Sequence, residues 1–108
     1  MFLSLITVTY NACSSLEQTI LSVEQQQYKD LEYIIIDGGS SDGTREMLRK
    51  YPDVVTMVVS ESDKGIYDAM NKGLRKATGD VVGFLHADDR FAHSRVLQKV
   101  MNIFEDRG

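Results

Sequence analysis

Cysteine, proline, excess basic charge and long apolar runs are all scarce in this 108-residue chain, and each scarcity closes a class of function. The single cysteine, Cys13, rules out an internal disulfide and any cysteine-based metal cluster. No motif ties it to His86 or His93, so it reads as a small loop residue rather than a nucleophile. Acidic residues outnumber basic ones, 16 to 12, for a net charge of -4. No basic cluster offsets that balance, which argues against a general nucleic-acid surface. No apolar run approaches the roughly 20 residues of a membrane span, and Met1-Phe2-Leu3-Ser4-Leu5 lacks the basic start of a secretory signal. A cytoplasmic protein is expected, with attachment of a longer parent to the cytoplasmic face of the membrane left open. No G-x-G-x-x-G follows the first apolar run and no G-x-x-x-x-G-K-[ST] occurs, so the dinucleotide and P-loop readings fail. Repeats, low-complexity tracts and linkers are absent too. Residues 1–108 are therefore expected to form one domain.

What is present is a regular alternation. Residues 2–9 are β-rich, and Ser14-Ser15-Leu16-Glu17 has the spacing of a helix-starting capping box. Leu16, Ile20 and Val23 make the apolar stripe of that helix, with Gln25-Gln26-Gln27 as its solvated end. Residues 31–36 are nearly all apolar, as in a strand buried on both faces. Asp42 is placed to cap a second helix carrying Thr44, Met47, Leu48 and Tyr51, closed by Pro52. A third strand is expected over 54–59. Ile66, Ala69, Met70, Gly73, Leu74 and Ala77 form the next helical stripe, ended by Gly79 as C-cap. The fourth strand, 81–85, is read as buried, and Ser94 caps a last helix bearing Leu97, Val100, Met101 and Phe104. The order βαβαβαβα with short connections predicts an α/β fold, a Rossmann-like parallel sheet in three α/β/α layers with right-handed crossovers.

Parallel strands place their exits along one edge, where α/β proteins hold ligands. Four polar segments meet there: Thr9-Tyr10-Asn11, Asp37-Gly38-Gly39-Ser40, Glu61 to Gly65, and His86-Ala87-Asp88-Asp89. Adjacent carboxylates at a strand exit suit a hard divalent cation that also neutralises substrate phosphates. The plain alternative is that Asp88 or Asp89 caps the following helix. Asp37 suits the N–H of a base or ribose hydroxyls, or serves as a turn residue. Tyr10 suits stacking on a base, or rim packing.

Ile6-Thr7-Val8-Thr9-Tyr10-Asn11, Ile35-Ile36-Asp37-Gly38-Gly39-Ser40-Ser41-Asp42-Gly43-Thr44, Ser60 through Gly73, and Phe84-Leu85-His86-Ala87-Asp88-Asp89 together resemble the large inverting nucleotide-sugar glycosyltransferase family 2. That family has the GT-A fold, and the closest likeness is to its bacterial polysaccharide and lipopolysaccharide branch. The resemblance implies the N-terminal, donor-binding part of such an enzyme, truncated relative to its parent. It implies that Thr9 and Asp37 hold the nucleotide base, with Tyr10, Asn11 and Gly38 beside them. The Asp-x-Asp region, with donor-binding His86, Ala87 and Asp89, would hold ribose and metal, and Asp88 would ligate Mg2+ or Mn2+. The chain departs from the family pattern at His86 and Gly38, where many relatives carry aspartate, and at Met70, where an arginine is common. Diphosphate contacts then fall to Lys64, Asn71 or residues outside this chain.

The implied reaction is direct displacement at the anomeric carbon of a nucleoside-diphosphate sugar, a UDP-sugar being expected, by a hydroxyl of a glycan or lipid-linked acceptor. The general base is expected beyond Gly108, since Glu105 and Asp106 read as a solvated helix end. A chain of this length is then expected to bind the donor without transferring it, and to self-associate through uncovered apolar surface. The alternative from another class is a non-catalytic nucleotide or nucleotide-sugar binding module. A nucleotidyltransferase would need a glycine-rich basic loop after the first strand, and a receiver domain an acidic pair there; neither is present.

Overall fold

The computed structural model describes residues 1–107, with side chains through Glu105. Its elements run β1 (Leu3–Thr9), α1 (Cys13–Glu24), β2 (Leu31–Asp37), α2 (Thr44–Leu48), β3 (Met57–Ser60), α3 (Ile66–Lys76), β4 (Val81–Phe84) and α4 (Val96–Arg107). All strand pairs are parallel, in the order β3-β2-β1-β4. The apolar runs at 3–9 and 31–37 take the centre, where both faces are covered.

Strand periodicity sorts the side chains into two cores. Leu3, Leu5, Tyr33 and Ile35 pack under α1, α2 and α4 with Leu16, Ile20, Met47, Leu97 and Met101. Ile6, Ile34 and Ile36 face the other way, against Ala69 of α3. That second layer is thin because α3 comes very close. A Cβ on Gly73 would lie 2.7 Å from Ile6 Cγ2 and 3.4 Å from Ile36 Cγ1, and both isoleucines are fully enclosed.

Several local expectations are corrected by long-range partners. The capping box at Ser14-Ser15-Leu16-Glu17 is not used: α1 starts at Cys13, and the Cys13 N–H donates to Asp42 Oδ2 at 3.0 Å. Asp42 therefore reaches α1 with Oδ2, while its Oδ1 accepts from the Thr44 hydroxyl at the start of α2, whose N-cap is the left-handed Gly43. Cys13 is thus the first helical residue, packed against the core, not a loop residue. Gln26 is buried instead of solvated. Its Oε1 accepts from Leu97 N–H at 3.0 Å and its Nε2 donates to His93 O at 2.7 Å, so Gln26 does at α4 what Ser94 was expected to do.

The third strand begins at Met57, after a turn in which Val54 and Val55 N–H groups bond to Tyr51 O. Gly79 is no C-cap, because α3 ends at Lys76 with Ala77 extended. Gly79 instead lets the chain pass β1, where a Cβ would sit 2.7 Å from Ser4 N. The fourth strand is a sheet edge rather than a buried strand, with Val82 38% and Phe84 43% exposed. Ile66 and Leu74 of α3 are likewise open, as are Val100 and Phe104 of α4. The expected stripes exist, but only about half of each is covered.

Below β1, Glu32 accepts hydrogen bonds from Ser4 Oγ and from the N–H and hydroxyl of Thr78 at 2.7 and 3.0 Å. Burial pushes its carboxyl up, but these three donors outweigh burial and hold it below its ordinary value.

Two outcomes follow from the packing. Gly73→Ala is expected to destabilise the chain by about 1–3 kcal/mol through overpacking against Ile6, measured as a lower urea midpoint; an unchanged midpoint would mean α3 can lift off the sheet freely. For Glu32, the depressed folded pKa stabilises the fold above the ordinary value of 4.5, and that contribution is lost as pH falls through and below it. The stability difference between the parent and Glu32→Gln should therefore shrink on acidification below about pH 4.5; parallel pH profiles would refute it.

Candidate functional site

The four strand exits do share one edge, and hydrogen bonds lace three of them together. Asp37 is at the centre. It is fully buried, and its carboxylate accepts from Ser40 N–H at 3.1 Å, from the Ser40 hydroxyl and from Ser60 Oγ at 2.7 Å. Ser60 Oγ in turn accepts from Arg45 Nε at 2.9 Å. Asn11, at φ 47°, joins the exit of β1 to the same turn: its N–H donates to Ser40 Oγ at 2.8 Å and its Oδ1 accepts from Ser41 N–H at 2.8 Å. Gly38 N–H completes the lacing on Thr9 O at 2.9 Å.

This geometry gives Asp37 and Asn11 a part in supporting the edge, since neighbouring donors hold side-chain oxygens of both. Local sequence shows an acid at a strand end but not the serines that will reach it.

What the lacing leaves open is a cleft of about 360 Å3 lined by Val8, Thr9, Tyr10, Asp63, Gly65 and Ile66. Thr9 is 3% exposed, and its Oγ1 has no hydrogen-bond partner, the one such buried side-chain atom among the described residues. Tyr10 stands beside it, 65% exposed. A buried hydroxyl without a partner is costly, and a ligand with polar atoms in this cleft would remove that cost. Asp63, half-buried at the cleft wall, was not singled out by sequence reasoning; it sat unremarked within the polar exit 61–65. Lys64 is exposed at the rim, where its N–H donates to Asp68 Oδ2 at 2.9 Å, the main reason the Asp68 carboxyl lies below its usual value. Asn71 is exposed on α3 and lines none of the clefts described here.

The His86 to Asp89 turn sits across the end of the sheet. Ala87 is buried in the core, so its side chain is not available to a ligand. Thr19 of α1, fully buried, shares its single hydroxyl proton between Ala87 O at 2.8 Å and Asp89 O at 2.6 Å, which pins the turn from below. Thr19 was also missed; its only signal is a hydroxyl in an otherwise apolar helical stripe. The pin leaves the Asp88 and Asp89 side chains exposed. Asp88 lines a cleft with Ser14, Ser15, Gln18 and Arg90, whereas His86 lines a groove with Ile66, Met70 and Phe84. The two therefore face different clefts. Among the described residues no three His, Cys, Asp or Glu side chains gather to hold an ion. Exposed carboxylate oxygens at Asp88 and Asp89 do fit a hard cation held by one or two protein ligands and completed by phosphate oxygens.

A slightly larger cavity, about 400 Å3, is elsewhere, on the flank of β3 between Arg45, Leu48, Tyr51, Pro52, Val55 and Val58. It shares no lining residue with the cleft at Thr9.

Comparison with known proteins gives a consistent picture. The sequence model of "Glycosyl transferase family 2" matches residues 4–108. An uncharacterized glycosyltransferase of Mycobacterium tuberculosis is 38% identical over 106 residues, covering 97% of this chain and 40% of the relative. The glycosyltransferase TuaG, assigned to teichuronic acid biosynthesis in Bacillus subtilis, is 36% identical over 107 residues, 96% of this chain and 42% of the relative. Among solved structures, the mannosyltransferase PcManGT of Pyrobaculum calidifontis, in complex with GDP-Man and Mn2+, superposes with a TM-score of 0.80 at 30% identity, over 85% of this chain and 29% of that one. TarS 1-349 of S. aureus, in complex with UDP-GlcNAc, shares the fold with a TM-score of 0.88 at 22% identity, over 98% of this chain and 32% of that one. The chain thus spans about two fifths of the length of these sequence relatives.

Replacing Asp37 by alanine leaves three donors without their acceptor. Asp37→Ala is expected to lower stability by about 1–3 kcal/mol, read from urea unfolding; an unchanged midpoint would mean that the carboxylate is free to serve a ligand instead.

Proposed function

The chain belongs to glycosyl transferase family 2, and from that premise we propose that it is the donor-binding part of an enzyme that moves a sugar from a nucleoside diphosphate to a glycan or lipid-linked acceptor in cell-surface polysaccharide assembly. The observation that carries this reading is the cleft at the exit of β1, where the exposed Tyr10 ring stands ready for a base beside the buried, unpartnered Thr9 hydroxyl. A nucleotide placed there extends its diphosphate along the strand exits towards Asp88. Asp88 would hold Mg2+ or Mn2+, whose charge would offset that of the diphosphate as it leaves. Complexes of PcManGT with GDP-Man and Mn2+ and of TarS with UDP-GlcNAc support the choice of ligand class.

In this reading the acceptor oxygen attacks the anomeric carbon from the face opposite the diphosphate, and the bond to the diphosphate oxygen breaks. The acceptor proton passes to a carboxylate of the whole protein. This chain's residues bind and orient the donor, and transfer belongs to the whole protein. Work at the cytoplasmic face of the membrane, where activated sugars meet lipid-linked acceptors, completes the proposal.

Calorimetry with UDP and GDP, with and without Mn2+, tests it. Binding is expected to require the cation and to weaken at least about 10-fold in Asp88→Asn. Asp89→Asn should differ, since the Thr19 bond to Asp89 involves only its main-chain oxygen. Tight binding in EDTA, or undiminished cation-dependent binding by Asp88→Asn, would overturn the metal assignment.

A further inference from the structure

The stretch from Leu85 to Arg95 has no strand or helix of its own, yet it carries Asp88 and Asp89. Such a stretch keeps one shape only if other groups take up its main-chain donors and acceptors. Here a single row of polar side chains does so. Thr19 and Ser22 of α1 and Gln26 just past its end are spaced i, i+3 and i+7, which puts them on one face, and they meet the stretch in order. The Thr19 hydroxyl lies 2.8 Å from Ala87 O and 2.6 Å from Asp89 O. Ser22 Oγ accepts from Phe91 N–H at 3.4 Å. Gln26 Nε2 donates to His93 O at 2.7 Å, and its Oε1 accepts from Leu97 N–H at 3.0 Å. Within the stretch itself, Asp89 N–H closes the turn on His86 O at 3.0 Å.

A threonine inside a helix commonly returns its hydroxyl to the carbonyl four residues back, and Ser15 O is within reach at 3.1 Å. The two turn carbonyls are closer. They are the carbonyls of the residues immediately before and after Asp88, so the one buried hydroxyl holds the main chain on both sides of a residue whose own side chain is exposed. We infer that Thr19 is a positioning residue for the divalent cation: it fixes the peptide units that flank Asp88 and so sets where the Asp88 carboxylate stands. The inference rests on the donor-site reading above and deepens it, because part of the cation's affinity then comes from a side chain that lines none of the clefts at the strand exits.

A cation held by one or two protein ligands has few bonds over which to spread the cost of ordering them, so a carboxylate already held in place binds it more tightly than a wandering one. Without the hydroxyl, the enclosed Ala87 carbonyl loses its donor, and an acceptor left dry under the turn is costly. Rolling the turn so that this oxygen reaches water relieves the cost and carries Asp88 away with it.

The test is calorimetric titration with UDP and GDP over a series of Mn2+ concentrations, for the parent, Thr19→Val, Thr19→Ser and Leu3→Ala. Valine keeps the shape and removes the hydroxyl, and serine keeps the hydroxyl. Leu3, buried at the start of β1 and so at the far end of the sheet from the turn, gives a variant weakened by a cavity alone. Thr19→Val is expected to raise the Mn2+ concentration for half-maximal nucleotide binding about 10-fold, and Thr19→Ser to stay within about 3-fold of the parent. Leu3→Ala, measured below its melting temperature, should match the parent. Amide hydrogen exchange gives a readout without nucleotide: Asp89 N–H should exchange faster in Thr19→Val, relative to the amides of β1 and β2, and not in Leu3→Ala. Should Thr19→Val fail to fold, Thr19→Cys, with a weak donor of similar size, takes its place under the same expectations. A parent that shows no Mn2+-dependent binding would overturn the donor-site reading and this inference with it. An unchanged Mn2+ requirement in Thr19→Val, an equal shift in Leu3→Ala, or an Asp89 N–H that exchanges no faster without the hydroxyl would overturn the inference alone.

Discussion

The Asp37 carboxylate fixes the shape of the ligand edge. A charge buried at the end of a central strand is tolerated only when donors surround it, and here the turn that follows supplies them. Ser40 brings its N–H and hydroxyl, and Ser60 brings the exit of β3. Since Ser40 also receives the Asn11 N–H, one carboxylate sets the relative positions of β1, β2 and β3 exits. The cleft at Thr9 is the space these positions leave. The buried Thr9 hydroxyl and one oxygen of Asp63 are polar atoms that the lacing does not reach.

The opposite end of the edge is held by a different device. Thr19 reaches from α1 to two carbonyls of the 86–89 turn, and Gln26 reaches from the end of the same helix to the start of α4. Both are buried polar side chains with their capacity used in fixing main chain. The layer of α1, α2 and α4 is therefore tied to the sheet by polar pins as well as apolar contact. The layer of α3 has the close Gly73 contact and little more, and beside it β4 leaves Val82 and Phe84 exposed. An edge strand with apolar side chains open on one face is an invitation to further pairing.

Much of the architecture was legible in the sequence. The runs at 3–9 and 31–37 carry their burial in composition, and the alternation of strand and helix periods dictates a parallel sheet whose exits align. Side chains that act across long separations were not legible. Gln26 looks like the end of a solvated run, Asp42 looks like the cap of the helix that follows it, and the capping box at Ser14 is locally sound. Each reading fails because a partner more than 25 residues away competes for the same group. The fourth strand was misjudged for a related reason: its apolar run encodes the wish to be covered, and in this structure only one side is. At the site, Tyr10 and Asp88 are exposed and Thr9 is buried, while the side chains of Asp37, Asn11 and Ala87 hold up the edge. Asp63 escaped notice because only three dimensions bring it beside Gly38, where a missing side chain leaves room for it.

The electrostatics of the edge divide the work of holding a nucleotide. A chain of net charge -4 with carboxylates at 63, 88 and 89 disfavours a bare diphosphate, and on the proposed reading a cation at the phosphate end would offset that repulsion. At the cleft, the Asp63 carboxylate can only accept, so it favours an N–H over an acceptor. Towards the phosphates, Asp88 lies with Arg90 and the start of α1, exposed to solvent where an ion can exchange. On the proposed reading, the carboxylates at the two ends of the edge therefore do different things: the one at the cleft can only accept a hydrogen bond, and those at the 86–89 turn would need a cation between them and a diphosphate.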